Sequence, residues 1–167
     1  MFGRKGQAFL LNCKSMEVLY TKADFRLYEL MLINSNVHHE LSSSAYNERR
    51  KTCEAVAKKT GVNVVSELNQ DMLFKNKLKL TNDEFQKAQY IIKENERVLL
   101  AYKALKTGDI LTFGSLMYAT HDGLRNEYQI SCPEIDFLVD MARKYSVIGS
   151  RILGGGFGGC TLNLVKK

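Results

Sequence analysis

The chain has 167 residues, 45% hydrophobic and 25% charged, with a single proline, which suits one globular domain or one domain plus part of a neighbour and argues against long linkers. The net charge of +6 is carried partly by scattered lysines such as Lys75, Lys77 and Lys79, which read as solvated surface. No aromatic stacking pattern or zinc-finger spacing accompanies the charge, and no apolar run approaches the roughly 18 residues a bilayer requires, so neither nucleic acid nor membrane is an expected partner.

Residues 8–12 (AFLLN) and 17–21 (EVLYT) are short β-rich runs around a polar break at Cys13–Ser15, the pattern of a hairpin. Residues 27–34 (LYELMLIN) are apolar almost throughout, which predicts a third and central strand, ended by the turn-forming Asn34-Ser35-Asn36. Serines open a helix over 43–59, with Ala45, Arg49, Thr52, Cys53, Val56 and Ala57 at helical spacing and Gly61 as its stop. A long helix is predicted over 82–106, with Ile91, Val98, Ala101, Tyr102 and Leu105 on one face and Gly108 at its end. Asp109 caps the next helix, which carries Phe113, Leu116, Met117 and Leu124. Ser131-Cys132-Pro133-Glu134 has the spacing of a capping box with proline in the first turn. Ile135, Leu138, Val139 and Ala142 then give an amphipathic helix. Residues 146–153 and 160–165 read as two strands. Strands, then helices, then strands predict an α+β fold with a sheet covered on one side.

Four cysteines, Cys13, Cys53, Cys132 and Cys160, are scattered with no CxxC pair, which suits reduced and mostly buried thiols in a cytoplasmic protein. The residues Met1–Gln7 lack the apolar core of a secretory signal. His38 and His39 are adjacent and lack a third ligand at a fitting spacing, so no metal site is assigned to them. His121 reads as a structural histidine within a helix.

Five of the twelve glycines lie in Gly154-Gly155-Gly156-Phe157-Gly158-Gly159. Each glycine loses more entropy on ordering than any other residue, so the cluster answers a need for positive φ or close backbone approach. Two readings stay open from the residues alone: backbone N–H groups converging on a phosphate, or a strand connection packed tightly under a helix. The pattern is neither GxGxxG nor GxxxxGK[ST], which excludes a dinucleotide fingerprint and a Walker loop.

Three segments together carry a resemblance. NSNVHHELSSSAYNERRKTCE at 34–54 is similar to the NxxxxHxLxxSxYxxRRxxCE stretch of galactokinases. ENERV at 94–98, through LRNEYQISCPEIDFLV at 124–139, resembles the next family block, and GSRILGGGFGGCTLNLV at 149–165 resembles the third signature motif of GHMP kinases. Their order and spacing also fit, over essentially the whole chain. The resemblance implies a GHMP-kinase C-terminal domain over 26–167, with helices on one side of a mostly antiparallel sheet, preceded at 1–25 by a remnant hairpin of the N-terminal lobe. It implies ATP and Mg²⁺ as partners in phosphorylating the C1 hydroxyl of galactose. Tyr46 falls on the sugar-contacting tyrosine, and Gly154, Gly155, Gly156, Phe157, Gly158 and Gly159 on the loop closing the phosphate end of the cleft. Arg49 and Arg50 are expected to serve structure, paired with acids such as Glu48 and Glu54.

Some family features are absent. The PxGxGLSSSA phosphate loop, the GIMDQ-like aspartate stretch and the GRxxLxGEHxD sugar motif have no counterpart, so no catalytic residue is assigned within the chain. Leu41-Ser42-Ser43-Ser44-Ala45 repeats LSSSA without the preceding PxGxG and reads as a serine-capped helix start. Phe2-Gly3-Arg4-Lys5-Gly6 matches the segment just after the family's aspartate, and family members continue past the position of Lys167 with a further helix and strand. His38 occupies a place where family members often carry a basic residue, and it is charged only below about pH 6.5. The resemblance thus predicts a galactokinase portion that is inactive alone, lacks its N-terminal lobe, binds no nucleotide or metal by itself and self-associates through the uncovered surface. Two alternatives are a kinase for another sugar such as N-acetylgalactosamine, and a non-catalytic sugar or nucleotide sensor on the same fold.

Overall fold

The computed structural model describes residues 2–37 and 44–167. The chain runs β1 (Gln7–Asn12), β2 (Glu17–Lys22), β3 (Tyr28–Asn34), α1 (Ser44–Thr60), α2 (Gln70–Lys75), α3 (Asn82–Thr107), α4 (Ile110–Asn126), α5 (Pro133–Lys144), β4 (Gly149–Leu153) and β5 (Cys160–Lys166), with short helical turns at Val65–Glu67 and Lys77–Lys79. This is the expected α+β order. The serine-rich start before Ser44, together with His38 and His39, lies outside the described residues.

Strands β1 and β2 pair antiparallel as a separate two-stranded sheet. The hairpin rests on α3, where the Tyr102 hydroxyl donates to the Tyr20 carbonyl at 3.3 Å, and its turn is held by a Lys14–Glu67 ion pair. The second sheet has the order β3-β5-β4, all antiparallel. Here the expectation for β3 fails. Among the described residues it is an edge strand, and β5 is central. Leu30, Met31 and Leu32 are 44%, 42% and 59% exposed although successive side chains point to opposite faces. An unbroken apolar run signals burial on both faces, and the described residues cover neither face of β3 fully.

Three apolar clusters form the interior. Val56 and Ala57 of α1 meet Val65, Leu68, Leu73 and, from α3, Ala88 and Ile92. Tyr90, Leu124, Ile135 and Ile152 join α3, α4, α5 and β4. Ile110 and Met117 of α4 pack on Leu164 of β5. Helix α4 lies tight against β4 because glycines face each other there. A Cβ on Gly114 would sit 2.2 Å from the Ile148 carbonyl oxygen, and one on Gly149 would sit 2.6 Å from the Gly114 Cα. A buried polar ladder crosses the sheet. The Ser150 hydroxyl donates to Asn163 Oδ1 at 2.7 Å, and Asn163 Nδ2 donates to Thr161 Oγ1 at 2.9 Å and to the Met31 carbonyl at 3.3 Å. Buried amides of this kind need such partners, and the last bond ties β3 to the centre.

The helices follow the sequence closely, with two corrections. Val98 of α3 is exposed, and the buried face runs through Lys87, Ala88, Tyr90, Ile92 and Ala104. The capping box at Ser131 does not form. Cys132 is the cap of α5 and makes no side-chain cap bond, while the Ser131 hydroxyl turns to Asp136. Of the cysteines, all four are free thiols, but Cys13 is exposed and the others only half-buried, short of the burial expected.

Candidate functional site

Helix α1 brings Tyr46, Arg49, Arg50 and Cys53 to one side by the i, i+3, i+4, i+7 spacing of 3.6 residues per turn. Tyr46 is 49% exposed, so its phenol is available to a ligand. Arg50 pairs with Glu54 at 2.9 Å, and that carboxylate raises the guanidinium pKa, as the structural reading expected. Arg49 reaches instead to the carbonyl of Gln129, where a terminal nitrogen donates at 3.4 Å. The Cys53 sulfur lies 3.6 Å from the Tyr128 hydroxyl. Tyr128 stacks on Tyr90 with ring centroids 5.1 Å apart. Burial pushes both phenols above their ordinary pKa. The Cys53 neighbour adds to this at Tyr128 and the Glu94 carboxylate at Tyr90.

The glycine loop divides into two parts. Gly154 and Gly155 are exposed, and a Cβ on Gly154 would meet nothing within 4 Å. Gly156 and Gly158 are buried and closely packed. A Cβ on Gly156 would lie 2.5 Å from the Ile130 carbonyl oxygen, and one on Gly158 would lie 2.7 Å from that of Val37. Four of the glycines and Phe157 have positive φ, with Gly155 the exception. Phe157 N–H donates to the Ile130 carbonyl at 2.7 Å and Gly159 N–H to the Val37 carbonyl at 3.0 Å. Both the Ser35 N–H and its hydroxyl donate to the Gly159 carbonyl. Close packing therefore accounts for Gly156 and Gly158, and the Gly154–Gly155 tip alone is open enough to approach a ligand.

The structure links Tyr46 and the loop through shared supports. The residues leaving α4 contact both α1 and the loop, and the loop also rests on Ser35–Val37, ahead of α1 in the chain. Two clefts lie elsewhere. One of about 420 Å³ is lined by Asn34, Ser35, Pro133, Glu134, Phe137 and Leu138, where β3 ends beside α5. The other, about 460 Å³, lies between the hairpin turn and residues 63–67. Neither is lined by Tyr46 or by the loop. Sequence reasoning missed the α4 exit as a support for both, and the signal available was Tyr128-Gln129-Ile130 directly after a helix end within a family block. His121 is buried, and its Nδ1 accepts the Ile152 N–H at 3.4 Å, while its Nε2 has no hydrogen-bond partner among the described residues.

Among the described residues no three His, Cys, Asp or Glu side chains converge as a metal site. No helix among them is long and apolar enough to cross a membrane.

A sheet with α4 and α5 packed against it and a glycine loop between its last two strands defines a class. Residues 101–167 match the family described as GHMP kinases C terminal. Over the whole chain the similarity is to galactokinases. It is 42% identical over 167 residues to the galactokinase of Thermotoga petrophila, covering 99% of this chain and 47% of that protein. It is 38% identical over 167 residues to the galactokinase of Homo sapiens, covering 99% of this chain and 43% of that protein. The crystal structure of Lactococcus lactis galactokinase complexed with galactose superposes with a TM-score of 0.92 at 29% identity, over 99% of this chain and 44% of that one. A mevalonate kinase from L. major shares the fold, with a TM-score of 0.58 at 20% identity. The chain thus spans about half the length of the curated relatives it matches.

Proposed function

We propose that this chain is the part of a galactokinase that carries the sugar-facing tyrosine and the glycine loop, and that the whole protein transfers the γ-phosphoryl group of ATP to the C1 hydroxyl of galactose. The observation that carries this reading is 42% identity to a galactokinase sustained over 99% of the chain. Phosphoryl transfer depends on positioning and on electrostatic stabilisation of the moving charge. Tyr46 serves the first need, because its exposed hydroxyl can bond a sugar hydroxyl. The Gly154–Gly155 tip serves the second by bringing uncrowded backbone close to the phosphates, where a side chain would keep the ligand away. Mg²⁺ would neutralise phosphate charge when it arrives with ATP. The phosphate loop and the acid that orients the acceptor hydroxyl come from a second lobe, to which residues 1–25 belong. Cytoplasmic location follows from the same reading, as galactose and ATP are met there.

The test is a chimaera in which this chain replaces the matching part of Thermotoga petrophila galactokinase. Galactose-dependent ATP turnover is expected from the chimaera and none from the 167-residue chain alone. A folded chimaera without turnover, or turnover by the isolated chain, would sink the assignment of parts. In an active chimaera Tyr46→Phe should raise the KM for galactose up to roughly tenfold, the worth of one hydrogen bond, with little change in the KM for ATP.

A further inference from the structure

The three residues that leave α4 touch both α1 and the glycine loop. Tyr128 and Ile130 are anchored from behind, their N–H groups donating to the carbonyls of Gly123 at 2.8 Å and Leu124 at 3.0 Å. The helix end itself is pinned to α3 by the Lys93–Glu127 ion pair at 3.1 Å and by Gln86 Nε2 donating to the Asn126 carbonyl at 3.1 Å. Gln129 holds φ of +58°, a left-handed conformation that is uncommon for a residue with a side chain. That kink turns two successive carbonyls to different neighbours. The Gln129 carbonyl accepts from Arg49 of α1, and the Ile130 carbonyl accepts from Phe157 in the loop. Tyr128 adds the contact with Cys53, one turn of α1 beyond Arg49. Gly156 lies so close to Ile130 that the loop has no room to shift toward it.

We infer that Tyr128-Gln129-Ile130 is a positioning bracket that couples the Tyr46-bearing face of α1 to the glycine loop, so that a displacement on one side is transmitted to the other. These are positioning residues, acting through Arg49, Cys53, Gly156 and Phe157. The bracket matters for catalysis only if Tyr46 and the loop serve one pair of substrates, and in that respect it rests on the galactokinase reading. The coupling itself does not, because the contacts are present in the chain as it stands.

Residue-resolved amide hydrogen exchange of the chain tests the coupling without sugar or nucleotide. The readout is the exchange rate of Phe157 N–H divided by that of Leu162 N–H in the β-sheet, with the Leu162 rate on its own reporting any change in global stability. Arg49→Ala is expected to raise this ratio roughly tenfold, since the loop then opens locally more often. Arg49→Lys, which keeps a donor for the Gln129 carbonyl, should restore most of the protection. Arg50→Ala, which removes only the exposed pair with Glu54, should leave the ratio unchanged. In the opposite direction Gly156→Ala should shift the amide resonances of α1 around Arg49 and Cys53. Should Gly156→Ala fail to fold, the three arginine variants still decide the matter. An unchanged ratio in Arg49→Ala, or an equal rise in Arg50→Ala, would overturn the bracket while leaving the kinase assignment where it was.

Discussion

His121 shows how a single side chain can make stability depend on pH. It is 1% exposed, and because Nδ1 accepts the Ile152 N–H, the ring proton sits on Nε2. Nε2 lies 3.3 Å from Asp136 Oδ1, too oblique for a hydrogen bond. Burial lowers the imidazole pKa, and this outweighs the pull of Asp136, Asp122 and Asp140, with Arg125 acting in the same direction as burial. The folded-state pKa is therefore below the unfolded value of about 6.5. Between those two values the unfolded chain binds the extra proton, so stability is fully present above pH 6.5 and is lost as pH falls toward the folded pKa. Urea titrations should show a midpoint that is flat near neutrality and declines below about pH 6.5. His121→Gln should flatten that decline, and an identical decline in the variant would contradict the assignment. At the same scale, the glycine cluster needed tertiary contacts to be read. Letters alone could not separate Gly156, closed against Ile130, from Gly154, open to solvent.

The ends of the helices follow rules of local chemistry, and one of them was placed wrongly for an instructive reason. Ser131 and Glu134 have capping-box spacing, but Asp136 and its neighbours Arg125 and His121 offer the serine hydroxyl a stronger, charged partner. The box that does form is Thr81–Glu84 at the start of α3. There Thr81 Oγ1 accepts from the Glu84 N–H at 3.2 Å, and the Thr81 N–H donates to Glu84 Oε2 at 2.8 Å. Thr81→Ala should lower unfolding stability by about 1 kcal/mol. A loss no larger than that of an ordinary surface substitution, measured by urea unfolding, would mean that the box contributes nothing. Asp109 caps α4 as the sequence predicted, accepting from the Thr112 N–H at 3.1 Å. Residues 65–79 hold two single turns and a six-residue helix, pieces too short to develop a period, and the sequence carries no clear signal for them.

At the scale of the whole molecule, strand β3 lies at a sheet edge among the described residues and exposes Leu30, Met31 and Leu32. An edge strand with apolar side chains on both faces is a template for pairing with another chain. Self-association of the isolated chain is expected by sedimentation velocity across a wide concentration range, and Leu32→Lys should weaken it. A single monomeric species at every concentration would contradict that. Periods, caps, turn residues and family motifs are set by neighbours within a few positions along the chain, and for that reason the hairpin, four of the helices, the last two strands and the likeness to galactokinases could be read from letters. Which strand is central, which glycines are packed and which open, and what joins α1 to the loop depend on segments far apart in sequence. Burial and backbone contact at those places are properties of pairs of distant residues, and only the tertiary structure brings the pairs together.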